Sequence, residues 1–143
     1  MTLILFSHTP ALIHTHPHAH GLGLARLALG RDHAVRHALG SSTHSVSEDG
    51  FAGIKVTVYT DRPHASLLKA AAIVGIGRAN VVDLGKPVAG TDTIGIDLGE
   101  LEGYIGDAGP GSGRAVVVSL SFGEVNTVRA GYFDVKRDVL HRS

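Results

Sequence analysis

Ile54-Lys-Val-Thr-Val-Tyr-Thr-Asp-Arg-Pro-His-Ala-Ser-Leu-Leu-Lys-Ala-Ala-Ala-Ile-Val-Gly75 changes its hydrophobic period halfway along. Ile54, Val56 and Val58 alternate with Lys55, Thr57 and Tyr59, which predicts a strand, because successive side chains of extended backbone point to opposite faces. Thr60-Asp-Arg-Pro63 ends that alternation, and Pro63 suits the first turn of a helix, where its missing N–H would have no partner anyway. Ala65 to Val74 then reads as a helix with Leu67, Leu68, Ala71, Ala72 and Val74 on its apolar face. Gly75 is the natural C′ residue, since glycine enters the left-handed region without steric cost.

The flanks extend the same alternation. Upstream, the apolar residues between Leu22 and Leu39 predict a largely buried helix that stops at Gly40, with Arg36 and His37 favourably placed at its negative end. Ser41 to Gly53 reads as a polar loop. Downstream, a short strand is expected at Val81 to Leu84, and Asp97-Leu-Gly-Glu100 has the spacing of a capping box opening a helix with Leu98, Leu101 and Ile105 inward. Gly106 to Gly113 is a flexible connection, and Ala115-Val-Val-Val-Ser-Leu120 is the continuous apolar run of a central parallel strand buried on both faces. Helix, strand, helix, strand, helix, strand implies an α/β fold with a mainly parallel sheet and flanking helices. No internal repeat and no second domain are visible.

Composition narrows the function classes. Lys plus Arg and Asp plus Glu are both 13 in 143 residues, so there is no basic field for a nucleic-acid backbone. The absence of cysteine removes disulfide scaffolds, thiolate metal sites and thiol nucleophiles. No stretch reaches the roughly 18 apolar residues of a membrane span, and Met1 to Phe6 lacks the basic flank of a signal peptide. A cytoplasmic protein is expected.

Five of the ten histidines fall in residues 1–21, which carry neither a helical nor an alternating period and are expected to be irregular; residues 22–143 form the domain. The tract His14-Thr-His16-Pro-His18-Ala-His20 offers imidazoles at a spacing of two, which face one side when the backbone is extended. It carries an alternative reading, a small non-catalytic module that binds metal or serves as an interaction partner. No carboxylate lies near to orient the rings, so a polar tail is the plainer reading. Gly21-Leu-Gly-Leu-Ala-Arg26 and Gly75-Ile-Gly-Arg-Ala-Asn80 both lack the third glycine of a dinucleotide fingerprint, and there is no Walker A sequence and no Gly-x-Ser-x-Gly elbow. His64 is the sharpest single signal. It sits between a strand and a helix, where an open parallel sheet binds its ligands, and a histidine there stacks on a planar cofactor, acts as an acid or base, or is an ordinary surface or capping residue.

Tyr59-Thr-Asp-Arg-Pro-His64-Ala-Ser-Leu-Leu-Lys69, running through Gly75-Ile-Gly77 to Val81, resembles the group II pyridoxal-phosphate-dependent amino acid decarboxylases. Members of that family carry a strand, a Ser-x-x-x-His-x-Ser turn and a Lys-Ala-rich helix that ends in Gly-x-Gly. Ala115-Val-Val-Val-Ser-Leu-Ser121-Phe-Gly123 to Thr127, then Gly131-Tyr-Phe-Asp134, is similar to the family's strand ending in Ala-Thr-x-Gly-Thr-Thr and its Gly-x-Phe-Asp turn. Leu29-Gly-Arg-Asp32 resembles the Ala-Arg-Asp at the end of the first large-domain helix. The likeness covers roughly residues 24 to 134.

The resemblance implies part of a fold-type I large domain, a homodimer, pyridoxal 5'-phosphate as cofactor and an amino acid as substrate. It implies decarboxylation through an external aldimine, the cofactor ring serving as electron sink. His64 matches the histidine that stacks on the pyridine ring, and Ser121 matches the threonine beside the cofactor. Other matches fail. His20 and Leu22 stand where the phosphate loop has hydroxyl residues, and neither the Asp-Ala-Ala nor the His-Lys motif occurs. None of the four lysines, Lys55, Lys69, Lys86 and Lys136, has the context of the Schiff-base lysine, so no catalytic residue is assigned and the chain is expected to be inactive by itself, as a truncated member of the family.

Overall fold

The computed structural model describes residues 2–5, 20–92 and 94–121. Its elements are β1 (Thr2–Leu5), α1 (His20–Leu39), α2 (Val46–Asp49), β2 (Lys55–Thr60), α3 (Ala65–Ile73), β3 (Val81–Asp83), β4 (Gly85–Pro87), β5 (Ile94–Ile96), α4 (Leu98–Gly106) and β6 (Arg114–Ser121). The main sheet has the order β1-β6-β2-β3, with β6, β2 and β3 parallel and β1 antiparallel to β6. A separate antiparallel hairpin joins β4 to β5.

The chain moves from β2 through α3 to β3, then reverses through α4 and lands beside β2 on the other side as β6. Right-handed crossovers in opposite directions put their helices on opposite faces of a sheet. The two cores follow that rule. Val56, Val58, Ala115 and Val117 pack with Leu27, Val35, Ala70 and Ala71 of α1 and α3. Tyr59, Val116, Val118 and Leu120 pack on the other face with Leu101 of α4 and with Leu84. A strand covered on both sides has no use for alternation, which explains the unbroken apolar run of β6.

Helix ends follow the sequence closely. At the end of α1, Gly40 takes φ 63°; its N–H reaches His37 O and the Ser41 N–H reaches Arg36 O, the paired bonds of a Schellman motif. Gly75 (φ 81°) closes α3 by donating to Ala72 O, and the Gly77 N–H reaches back to Ala71 O. Both glycines of Gly75-Ile-Gly77 therefore serve the helix end.

Several expectations need correction. Thr2–Leu5 is a strand of the main sheet and α1 begins at His20, so residues 1–21 are not wholly irregular. The supposed loop 41–53 contains the single-turn α2, anchored by buried Val46. Residues 85–96 form a hairpin that no period announced. Leu29 is 59% exposed, and on α3 Ala72 faces solvent while Ala70 takes the buried place. Asp97 does cap α4, its Oδ1 accepting the Glu100 N–H at 2.9 Å, but the box is not reciprocal, because the Asp97 N–H bonds Leu84 O.

Candidate functional site

The carboxyl ends of β2 and β6 lie side by side where the chain changes direction, with Thr60 opposite Ser119. In an open α/β sheet this switch point is where ligands bind, because loops diverge there and leave a crevice. Thr60, Asp61, His64, Ser119 and Ser121 all belong to this edge. Thr60 and Asp61 are buried to 0% and 4% exposure, two polar residues that ordinary core packing would not select.

His64 is the N-cap of α3. Its Nδ1 accepts the Ser66 backbone N–H at 3.2 Å and lies 2.8 Å from the Ser66 hydroxyl. The Leu67 and Leu68 N–H groups bond the His64 carbonyl and start the helical ladder. The ring itself is exposed at the sheet edge. Of the expected roles the structure shows the cap, which uses a ring nitrogen and not the ring face.

The turn before His64 is built by its own polar groups. Thr60 Oγ1 accepts the Arg62 N–H at 3.3 Å, and the Leu84 N–H reaches Thr60 O at 2.8 Å, extending the β2–β3 ladder one step past the strands. Gly85 passes directly over the Asp61 carbonyl, so closely that a Cβ there would overlap it. Asp83 Oδ1 accepts the Gly85 N–H at 2.8 Å, holding that close approach in place. Sequence reasoning passed over Thr60, Asp61 and Gly85 as site residues; Thr60 and Asp61 stand in the polar break after β2, whereas the approach of Gly85 to Asp61 has no local signal.

Ser121 is the last residue of β6 and faces Thr2 of β1 in register. Of the metal alternative, His20 is the first residue of α1, and His14, His16 and His18 lie outside the described residues, as does Lys136. Among the described residues no group of three or more His, Asp and Glu side chains is arranged to hold a metal ion. No helix there is long and apolar enough to cross a membrane.

Of the three described lysines, Lys55 and Lys69 stand away from this edge, and Lys86, which directly follows Gly85, is ion-paired. Lys55 starts β2 at its opposite end, and Lys69 projects from α3 into solvent. Lys86 of β4 bonds Asp97 at 2.5 Å and lies 3.6 Å from Glu100, tying the hairpin to the first turn of α4. The Asp97 hydrogen bond raises the Lys86 pKa, and the same bond, with the Glu100 backbone N–H, lowers that of Asp97. Beside this network Tyr104 donates to Glu100 and stacks on Tyr59 with ring centres 4.6 Å apart. Burial, and then the neighbouring Tyr104, raise the Tyr59 pKa.

The edge thus offers a planar imidazole for stacking, but among the described residues no lysine for covalent attachment of pyridoxal phosphate. The fit to that cofactor is limited to its ring, and no catalytic step follows from these residues. Compared with known protein families, curated proteins and solved structures, the chain matches none.

Proposed function

We propose that this chain is a large-domain segment of a pyridoxal-phosphate-dependent amino acid decarboxylase, contributing the ring-stacking histidine and part of the cofactor crevice. In the whole enzyme the substrate would be an amino acid and the assembly a homodimer. The supporting observation is the parallel pairing of β2 with β6, which brings the His64 turn and Ser121 to one end of adjacent strands at the switch point. The strand–turn–helix order around His64 is also that of the resemblance. The lysine and the pyridine-pairing aspartate would have to come from other residues, so the described residues alone are a binding element and not a catalyst.

Equilibrium dialysis of pyridoxal 5'-phosphate against the wild type and His64→Asn tests this reading. Asparagine keeps a capping acceptor and removes the aromatic ring. An aromatic stacking contact is worth about 1 kcal/mol, so affinity is expected to fall about fivefold. Unchanged affinity in His64→Asn would remove the assignment. So would borohydride trapping of one cofactor per chain on a single described lysine, because that lysine would then be the covalent anchor.

A further inference from the structure

α1 is seated on the main sheet through Leu27, Val35 and Ala38, which pack with Ala115 and Val117 of β6. His33 and His37 lie one turn apart on a neighbouring stripe of the same helix. Both line a crevice closed by the start of β6, with Arg114, and by Ala108 and Gly109 beyond α4. The crevice leaves no room for a water molecule, so a charge arising on its wall loses hydration that nothing polar replaces there. The Gly111 N–H donates to Ala38 O at 3.2 Å and fastens the connection before β6 to the end of α1.

Among the described residues, the ionisable side chains that line this crevice or act on His33 are all basic: Arg36 and His37 on its own helix and Arg114 on β6. Ala108 and Gly109 bring no charge, and β1 has no ionisable side chain. Asp32, next to His33, is held by the Arg31 guanidinium at 2.7 and 2.9 Å, and Asp107 is exposed at the end of α4. Glu48 and Asp49 of α2, Lys55 of β2 and Lys69 of α3, the other elements packed on α1, are exposed and line no part of the crevice. Burial, then Arg36, then His37 lower the His33 pKa. The uncharged ring is the form the fold favours, so its contribution is complete above the ordinary histidine range and is lost as pH falls through that range.

We propose that His33 is an acid-operated latch: uncharged, it lets the C-terminal half of α1 lie on β6, and protonated, it stands beside Arg36 and Arg114 with no carboxylate lining the crevice and lifts that half off the sheet. Lifting breaks the Gly111–Ala38 bond and bares the apolar face of Val35 and Ala38. A histidine serves here because its charge changes between about pH 5 and about pH 8. The inference is independent of the cofactor reading, since the crevice lies at the amino end of β6, opposite to His64.

The test compares the full chain with His33→Gln, which cannot take up the charge, by urea unfolding at about pH 7.5 and about pH 5. On acidification the folded-to-unfolded ratio of the wild type is expected to fall about threefold further than that of the variant. Arg114→Glu, an exposed substitution, keeps His33 and gives the imidazolium a carboxylate, so the extra loss is expected to vanish there. Amide NMR spectra of the wild type at the acid pH are expected to change first at Val35 to Gly40 and at Gly111, and those of His33→Gln to stay as they were. Equal acid losses in all three chains would overturn the proposal. A loss that depends on His33 but appears at all amides together would overturn it as well, because the helix would then have no separate release.

Discussion

His64 Nδ1 accepts the backbone N–H of Ser66 at 3.2 Å, and that bond caps the first turn of α3, four residues beyond the end of β2. It satisfies one of the orphan donors of the first turn with a ring nitrogen, where Ser, Thr, Asp or Asn is the common choice. His64→Ala is therefore expected to cost about 1 kcal/mol of stability, and His64→Asn only a few tenths. Urea unfolding of the two variants separates the roles: equal destabilisation would show that the ring, and not the cap, holds the turn.

Gly85 is expected to be the least tolerant glycine of the sheet edge. A methyl group there meets the backbone carbonyl of Asp61 together with Ile94 and Asp83, and backbone cannot swing aside as a side-chain end does. Gly85→Ala should cost about 3 kcal/mol or more. Gly40→Ala has open space around it and pays only for φ 63°, roughly 1–2 kcal/mol. Thermal melts should rank the two in that order, and the reverse ranking would mean that the Gly85–Asp61 approach is not kept in solution.

The Lys86–Asp97 pair gives a defined pH signature. Asp97 is held below its ordinary pKa, first by the Lys86 hydrogen bond, so its contribution is present above the usual carboxylate range and disappears as pH falls through the lowered value. Lys86 is held above its ordinary pKa, so its contribution is present below the usual lysine range and disappears as pH rises through the raised value. Asp97→Asn preserves the cap and removes the charge. The stability difference between wild type and this variant should be constant near neutrality and close at strongly acidic pH, measured by melts across the range. A difference that persists after Asp97 is protonated would locate the effect elsewhere.

The sequence was most informative where local chemistry and packing agree. The β2 strand, the start of α3 at Ala65, the Gly40 and Gly75 exits and the run of β6 are each decided within a few residues, and each stands as expected. Pro63, expected in the first turn of α3, lies instead ahead of the His64 N-cap, and Tyr59, on the expected polar face of β2, is buried. The β4–β5 hairpin was illegible because its strands are three residues long and contain Gly85, Pro87 and Gly95, so the pairing depends on tertiary seating against α4. The antiparallel place of β1 is likewise a matter of long-range pairing, which four apolar residues cannot announce. At the candidate site His64 stood out because strand, proline and helix frame it. Asp61 did not, since its burial follows from the close passage of Gly85, which the sequence does not display.

The most direct test of the cofactor reading is an amide NMR titration of the isotopically labelled chain with pyridoxal 5'-phosphate. The account predicts shift changes confined to the carboxyl edge of the sheet, at Thr60 to Ser66, at Asp83 to Gly85 and at Ser119 to Ser121, and their weakening in His64→Asn. Changes centred on Lys55 or Lys69, or equal changes in the variant, would contradict it.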